Sequence, residues 1–262
     1  MSRALLFDCD GVLADTERDG HLVAFNRMWR EQGVNWQWSL DQYAVKLKIG
    51  GGKERIASLA NDADFRAAYP VPDSDQQWQA TVAQWHRRKS DIFKELVAAG
   101  AMPGRPGVKR LAQEAFDQGW TLAVCSTSAL ASVQAVLDTV MGKELSGKFA
   151  GVFAGDIVKA KKPAPDIYNH AADALGLTHA DCVVIEDSRN GLLAATAAGM
   201  KCVITVNALT EREDFSEAAL VVSSLGDPGG EPARVIANRS AAHPDGAVTV
   251  ADLDAIVAGV KA

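Results

Sequence analysis

Short apolar runs recur along this chain and alternate with segments of helical spacing. The runs are rich in Val, Ile, Leu, Ala and Cys, and they cover residues 4–7, 122–125, 151–153, 182–185, 202–206 and 219–222. Strands that are apolar on both faces are typical of parallel sheets covered by helices on both sides. The pattern therefore predicts the α/β class, with a doubly wound, Rossmann-like parallel sheet that binds ligands at the carboxyl ends of its strands.

The stretch from residue 17 to residue 99 interrupts this alternation. It lacks convincing strands and contains two segments of helical spacing, HLVAFNRMWREQG and WQATVAQWHRRKSDIFKELVAAG. We expect an α/β core domain made of residues 1–16 and 100–262, into which residues 17–99 are inserted as a helical cap domain. The tryptophans of the insertion are expected to form a small core rather than a cofactor site. They are Trp29, Trp36, Trp38, Trp78 and Trp85.

Composition limits the partners and the location of the protein. The 262 residues carry a net charge of −6 with Lys and Arg scattered, so a nucleic-acid partner is not expected. The first apolar run stops at Asp8, which is too short for a signal sequence or a membrane span, and we expect a soluble, cytoplasmic monomer. The four cysteines lie in apolar runs without C-x-x-C spacing, which favours buried thiols over disulfides or zinc ligands.

Two aspartates close the first predicted strand, in the segment LLFDCDGVLADTE. Asp8 and Asp10 point to the same side of an extended chain, and Gly11 allows the backbone to turn sharply. Two carboxylates this close repel each other unless a cation or a shared proton intervenes, and hard oxygen ligands suit Mg²⁺. Taken alone, the pair is equally well explained as a turn or a helix cap.

Three further motifs follow apolar runs. Ser126 and Thr127 follow TLAVC, Lys162 precedes a proline in KAKKPAPD, and Glu186 and Asp187 end CVVIED. Each has an ordinary explanation, as a helix cap or a solvated lysine. Because one parallel sheet would bring all of them to the same edge, together they supply the nucleophile, metal site, ammonium group and hydrogen-bond donors of phosphoryl transfer.

The order D-x-D-G-V, strand-Ser-Thr, Lys-Pro-x-Pro-Asp and Glu-Asp resembles the four signatures of the haloacid dehalogenase superfamily of phosphatases, over nearly the whole chain. Within that superfamily, FDCDGVLADTE, KIGGGKERI and VCSTS resemble the CbbY group of xylulose-1,5-bisphosphate phosphatases. The resemblance implies that Asp8 is the nucleophile that becomes phosphorylated and that Asp10 is the general acid and base. It implies that Ser126 and Lys162 hold the phosphate, with Thr127 beside them as a substrate-binding residue.

The same resemblance implies a Mg²⁺ site. Its ligands would be Asp8, the backbone carbonyl of Asp10, and Asp187, with Glu186 as a further ligand or as a partner of a ligand. Mg²⁺ and Lys162 would together neutralise the phosphoryl group that a negatively charged nucleophile must approach.

The helical insertion is expected to select the substrate. Glycines of KIGGGKERI expose backbone amides, and Lys53 and Arg55 add positive charge, so this loop suits a second phosphate. It is not a nucleotide P-loop, because Glu54 follows Lys53. Glu17 and His21 begin the first cap helix and are expected to face sugar hydroxyls. An ordinary surface loop and a packing histidine are the alternatives, and related mutases place their cap histidine one residue earlier.

The resemblance implies a Mg²⁺-dependent phosphatase that hydrolyses a small-molecule sugar bisphosphate, xylulose 1,5-bisphosphate, to xylulose 5-phosphate through a phosphoaspartate. One alternative is a phosphomutase of the β-phosphoglucomutase kind, which uses the same core residues but protects its phosphoaspartate from water. A second is a non-enzymatic, phospho-accepting binding module. Asp10 and the large insertion argue against the module, because a signalling domain needs neither an acid/base group nor a lid.

Overall fold

The computed structural model describes residues 3–259, which contain a single seven-stranded sheet of order β3-β2-β1-β4-β5-β6-β7. All neighbouring strands are parallel except β6 and β7. Helices connect the parallel strands β1 to β5 in chain order, and the predicted doubly wound α/β class is confirmed. The strands are β1 (Ala4–Phe7), β2 (Thr121–Ser126), β3 (Gly151–Ala154), β4 (Cys182–Glu186), β5 (Lys201–Thr205), β6 (Leu220–Val222) and β7 (Val235–Asn238).

The chain folds into two compact units. The α/β unit joins Met1–Asp15 to Pro103–Ala262, and the helical unit is Thr16–Met102. The helices are α1 (Val23–Glu31), α2 (Leu40–Lys46), α3 (Gly52–Ala57), α4 (Ala63–Ala68), α5 (Asp75–Ala98), α6 (Val108–Asp117), α7 (Leu130–Met141), α8 (Lys143–Ser146), α9 (Asp166–Leu175), α10 (Arg189–Ala197) and α11 (Val250–Ala258).

The sequence predicts strands by their continuous apolar runs, because such runs become buried in the sheet. The central strands β1 and β4 are buried at every position, as expected for strands with helices on both faces. Strand β7 carries no such run: Val235 and Ile236 are exposed, and the strand pairs antiparallel at the edge of the sheet. The sequence pattern does not predict β7, because this edge strand lacks the continuous apolar run of the other strands.

The helical unit has an aromatic core, as predicted. Trp29 packs edge-on against Trp38 with ring centroids 4.6 Å apart, and Trp78 packs edge-on against Trp85 at 5.9 Å. The ring centroids of Phe65 and Trp85 are 6.3 Å apart, so α4 also packs against α5 in this core. The unit contains no strand among its described residues, so its stability comes from packed helix faces.

The ends of the chain's elements follow the expected chemistry. Helix α11 begins with a capping box in which Thr249 and Asp252 each bond the other's backbone amide. Cys9, Cys125, Cys182 and Cys202 are all free and buried, which confirms their prediction as buried thiols. Among the described helices, none combines the length and apolar character that crossing a bilayer requires.

Candidate active site

The carboxyl ends of the central strands assemble the predicted acidic residues. Strand β1 lies between β2 and β4, with Phe7 paired to Val124 on one side and to Ile185 on the other. Asp8 follows directly, and its amide donates to the Ile185 carbonyl at 2.9 Å. The carboxylates of Asp8, Glu186 and Asp187 are buried and supply oxygens that lie within 4.8 Å of one another.

Lys162 lies inside this acidic cluster rather than in solvent. Its Nζ donates to Asp8 Oδ1 at 2.6 Å, to Glu186 Oε1 at 2.6 Å and to the Cys125 carbonyl at 2.9 Å. Burial opposes the ammonium charge, but Asp8 and Glu186 outweigh it and raise the pKa of Lys162 above its usual value. Lys162 therefore remains charged and provides a fixed positive group beside the nucleophile position.

Tyr168, on α9, is a site residue that the sequence analysis missed. Its hydroxyl donates to Glu186 Oε1 at 2.6 Å. The other oxygen of Glu186 accepts from the Asp187 amide at 3.2 Å, so both oxygens have hydrogen bonds from the protein. This arrangement holds Glu186 firmly where it contacts Lys162. Tyr168 carries no sequence signal, because its spacing on α9 is that of a core residue.

The second strand end supplies hydroxyl groups. Ser126 is the last residue of β2 and is buried, and its Oγ accepts from the Ser128 amide at 3.1 Å. The Ser128 hydroxyl donates a short hydrogen bond to Asp10 Oδ2. Thr127 is half-buried between these two serines. Ser128 is within the motif that the sequence identifies, but its contact with Asp10 depends on how β2 and β1 are placed, which the sequence does not specify.

The Asp8 carboxyl group is perturbed by its surroundings. The pKa of Asp8 is raised to about 8, because burial and the nearby Glu186 and Asp10 carboxylates together outweigh the opposing charge of Lys162. A neutral carboxyl group is a poor nucleophile, so added positive charge is needed to keep Asp8 ionised near neutral pH.

The donor set fits a magnesium ion. Three buried carboxylates lie together and one ammonium group contacts two of them, so the cluster carries an excess of negative charge when all three carboxylates are ionised. Carboxylate oxygens are the ligand type that Mg²⁺ prefers, and neither a thiolate nor an imidazole belongs to this cluster. The chemistry of these donors therefore matches the metal that the sequence analysis expects.

In the helical unit, Glu17 and Arg55 meet. The Arg55 guanidinium donates to the Tyr43 hydroxyl at 2.9 Å and lies 3.5 Å from Glu17 Oε2, and its Nε donates to the Ile49 carbonyl at 3.0 Å. Tyr43 Oη donates a short hydrogen bond to Glu17. The sequence predicted Glu17 and Arg55 separately, and the structure places them in one network. Lys53 lies exposed on α3, two residues before Arg55.

His21 is buried among side chains of the helical unit. Its ring stacks on Phe93 with centroids 4.1 Å apart, and its Nδ1 lies 2.6 Å from Lys89 Nζ. Lys89 is also buried and lies over the ring of Phe25, 4.7 Å from its centroid. The sequence pattern does not identify Lys89, because a lysine in the charged segment HRRKS is typical of a solvated helix face.

A π-helical turn over Glu17–Leu22 precedes α1 and includes His21. Such a turn accommodates one residue more than an α-helical turn and is frequent at functional sites. Gly20 lies within it, where a Cβ atom would be 2.3 Å from Met102 Sδ and 2.7 Å from Phe93 Cε2. Close packing thus explains this glycine.

Comparison with known proteins agrees with this fold and site. A family model of haloacid dehalogenase-like hydrolases matches residues 2–199. The CBBY-like protein of Arabidopsis thaliana is 44% identical over 225 residues, which are 86% of this chain and 70% of that protein. The plasmid-encoded CbbY of Cupriavidus necator is 40% identical over 226 residues, covering 86% of this chain and 87% of the relative.

A solved structure shares the architecture. CbbY from Rhodobacter sphaeroides, crystallised as an aspartate-to-asparagine mutant with xylulose 1,5-bisphosphate, superimposes with a TM-score of 0.76 at 37% identity. The match covers 86% of this chain and 95% of that one. The family match and the CbbY relatives show that the chain is a phosphatase. It belongs to the haloacid dehalogenase-like hydrolase family.

Proposed function

We propose that this protein is a Mg²⁺-dependent sugar-phosphate phosphatase that converts xylulose 1,5-bisphosphate to xylulose 5-phosphate and inorganic phosphate. The observation that carries the proposal is the buried cluster in which Lys162 contacts both Asp8 and Glu186 beside Asp187. The complex of the Rhodobacter sphaeroides relative with xylulose 1,5-bisphosphate supports this substrate.

Asp8 is the proposed nucleophile. An oxygen of its carboxylate attacks the phosphorus of the substrate, the bond between phosphorus and the sugar oxygen breaks, and the phosphoryl group is transferred to Asp8. Lys162, 2.6 Å from Asp8 Oδ1, stabilises the negative charge on the phosphoryl oxygens during this transfer. Ser126 and Thr127, at the end of β2, are proposed to donate hydrogen bonds to the same group.

Asp10 is the proposed proton carrier. In its protonated form it gives a proton to the departing sugar oxygen, and in its ionised form it removes a proton from the water that attacks phosphoaspartate. The hydrogen bond from Ser128 orients the Asp10 carboxyl group. The second step releases phosphate and restores the Asp8 carboxylate.

Asp8, the backbone carbonyl of Asp10, and Asp187 are the proposed Mg²⁺ ligands. When bound, Mg²⁺ supplies charge that neutralises the phosphoryl oxygens and favours the ionised form of Asp8. We assign Glu186 to holding Lys162, because Lys162, Tyr168 and the Asp187 amide already donate to its two oxygens.

The helical unit supplies the groups proposed to bind the non-reacting end of the substrate. Lys53 and Arg55 lie on one short helix and are assigned to the second phosphate. Glu17 and His21 are assigned to the sugar hydroxyls. Their places in networks with Arg55 and Lys89 support these assignments, because each polar group is held in a fixed orientation.

The test is phosphate release from xylulose 1,5-bisphosphate by the purified chain with and without Mg²⁺. We expect Mg²⁺-dependent release that is lost in Asp8→Asn, which keeps the size of the side chain but removes the anionic nucleophile. Isomerisation of β-glucose 1-phosphate without net phosphate release would instead identify a mutase. Binding of a phosphoryl group without turnover on any phosphomonoester would identify a phospho-accepting module.

The cysteines bear on the cellular location of the protein, which we propose together with its oligomeric state. Four free buried thiols suit the reducing conditions of a cytoplasm, where phosphorylated sugars are processed. We propose a cytoplasmic monomer whose partner is the small-molecule substrate, and cell fractionation combined with light scattering of the purified protein tests both points.

A further inference from the structure

An asparagine that the sequence analysis did not consider contacts the acidic cluster. Asn207 lies two residues after β5, and its Nδ2 donates to Asp187 Oδ2 at 2.7 Å. Asp187 is one of the proposed Mg²⁺ ligands. A hydrogen bond to one oxygen of a carboxylate fixes the rotation of that group, and such partners of metal ligands tune metal affinity.

The orientation of the Asn207 amide is fixed from its other side. The Leu209 amide donates to Asn207 Oδ1 at 2.9 Å, and the Thr210 amide donates to the Asn207 carbonyl at 3.1 Å. This is an Asx turn, in which an asparagine side chain bonds the backbone two residues further on. Because Oδ1 faces an N–H group, Nδ2 must be the atom that faces Asp187.

Gly11 provides the space for this contact. A Cβ atom on Gly11 would lie 2.1 Å from Asp187 Oδ2 and 2.9 Å from Asn207 Nδ2. Any side chain there would displace the hydrogen-bonded pair. Gly11 therefore does more than allow a turn after Asp10, because its bare backbone forms one wall around the Asp187 carboxylate.

Arg105 fixes the distance between these segments. Its guanidinium donates a short hydrogen bond to the Gly11 carbonyl, and it donates to the Val206 carbonyl at 2.6 Å and to the Thr205 carbonyl at 3.0 Å. One side chain thus joins the loop after β1 to the loop after β5. The loop that carries Asn207 is held against the loop that carries the nucleophile.

We propose that Asn207 is a positioning residue that orients Asp187 for Mg²⁺ and so sets the affinity of the protein for this ion. The inference rests on the proposed magnesium site. Removal of the amide takes away one restraint on the rotation of the Asp187 carboxylate, so ordering this carboxylate around the metal costs more entropy. The expected result is weaker Mg²⁺ binding with an unchanged fold.

The experiment measures Mg²⁺ binding to the full chain by calorimetry, without substrate, together with the melting temperature without Mg²⁺. Asn207→Ala removes both the Asx turn and the donor. Asn207→Ser keeps a hydroxyl that can accept from the Leu209 amide but is too short to reach Asp187. We expect both variants to raise the Mg²⁺ dissociation constant by about 10-fold or more, at a melting temperature close to the parent for Asn207→Ser.

Asn238 provides a matched control in the same unit. It is the last residue of β7, accepts from the Ser240 amide through Oδ1 at 2.9 Å and donates through Nδ2 to the Ala242 carbonyl at 2.7 Å. Asn238→Ala and Asn238→Ser remove an equivalent turn that touches no proposed ligand. Their Mg²⁺ affinity should equal that of the parent.

The outcomes separate the inference from the proposed function. A parent chain that binds no Mg²⁺ overturns both. A parent that binds Mg²⁺, with folded Asn207 variants that bind it within twofold of the parent, overturns the positioning role alone. Failure of both Asn207 variants to fold, with folded Asn238 variants, also overturns it, because the residue would then be needed for the fold instead of for the metal.

Discussion

The two units of the chain bury opposite kinds of charge. In the α/β unit, carboxylates of Asp8, Glu186 and Asp187 surround a single lysine, Lys162. In the helical unit, Lys89 and His21 are buried together among aromatic rings. Burial of charge is costly, and each buried lysine has close partners: Lys162 contacts two carboxylates, and Lys89 contacts the His21 ring nitrogen and the Phe25 ring.

The acidic cluster suits a divalent cation and, through that cation, a phosphoryl group. The basic residues of the helical unit suit an anionic group directly. A bisphosphate presents two anionic ends, of which only one would react. The comparison thus predicts that changes in the α/β unit affect chemistry and stability strongly, and that changes in the helical unit affect substrate choice more than chemistry.

The largest expected effect is that of Lys162→Met. Removing the ammonium leaves Asp8 and Glu186 buried without their shared cation, which should lower the free energy of unfolding by about 3–5 kcal/mol. The value of kcat should fall by about 10³-fold or more. Denaturant unfolding and phosphate release measure the two effects.

Lys89→Met is the counterpart in the helical unit. Its side chain lies over aromatic rings, where a thioether also packs well, but His21 Nδ1 loses the hydrogen bond to Lys89, so the loss of stability should be about 1–2 kcal/mol. Equal losses for Lys162→Met and Lys89→Met would contradict the comparison.

Two glycines give a second contrast. A Cβ on Gly191 would lie 1.9 Å from Glu186 Cδ, and Glu186 is held by Lys162 and Tyr168, so Gly191→Ala should cost about 3 kcal/mol and also lower kcat. Gly20→Ala meets the flexible Met102 side chain at 2.3 Å and should cost about 1 kcal/mol.

Gly230→Ala is the control for both glycine variants. A Cβ there would meet Asp227 Cβ at 3.3 Å, which is a mild contact, and the stability should change by less than about 0.5 kcal/mol. Normal stability and turnover in Gly191→Ala would show that the contacts of Glu186 are not rigid.

The helical unit should also have its own pH dependence. Burial lowers the pKa of His86 from 6.5 to about 4, with Lys89 and Lys53 adding to the effect. The unfolded chain binds this proton at higher pH than the folded chain, so stability falls as the pH falls through the interval between these two values. His86→Gln should reduce the loss of stability between about pH 7 and about pH 5 by about 2 kcal/mol. Parallel stability curves for parent and variant would disprove the effect.

The smallest expected effect is on substrate preference. Lys53→Ala should raise KM for xylulose 1,5-bisphosphate by about 10-fold, and KM for a monophosphate much less, because only the bisphosphate carries the second phosphate. Lys94→Ala, which removes an exposed lysine on α5, is the control and should change neither KM. Equal increases of KM for both substrates in Lys53→Ala would refute the assignment of Lys53 to the second phosphate.

The sequence predicts the α/β unit better than the helical unit, for a physical reason. Each acidic or hydroxyl residue of the sheet edge lies at the end of a buried strand or within three residues after it, and parallel strands bring their ends together whatever the details of packing. Asn207 carries the same signal, since it follows the fifth apolar run closely, and could have been identified in this way. Tyr168 and Arg105 could not, because a helix and a loop place them.

The helical unit lacks a comparable rule. Lys89 reaches His21 from a position 68 residues away on α5, and this pairing depends on how helix faces pack. Helical spacing predicts which face is apolar but not which lysine of HRRKS turns inward. The π-helical turn at Glu17–Leu22 also shifts which face of the helix the following side chains occupy, and no sequence motif predicts this shift. The edge strand β7 escapes prediction because two of its large side chains are exposed.

The central claim is that the Asp8 carboxylate is phosphorylated during turnover. Acid quenching of the enzyme within a single turnover of xylulose 1,5-bisphosphate, followed by peptide mass spectrometry, measures this directly. The account predicts one phosphoryl group on the peptide that contains Asp8, with none in Asp8→Asn. Full turnover by the parent with no phosphoryl group on Asp8 at any quench time, or with the group on Ser126 instead, would contradict it.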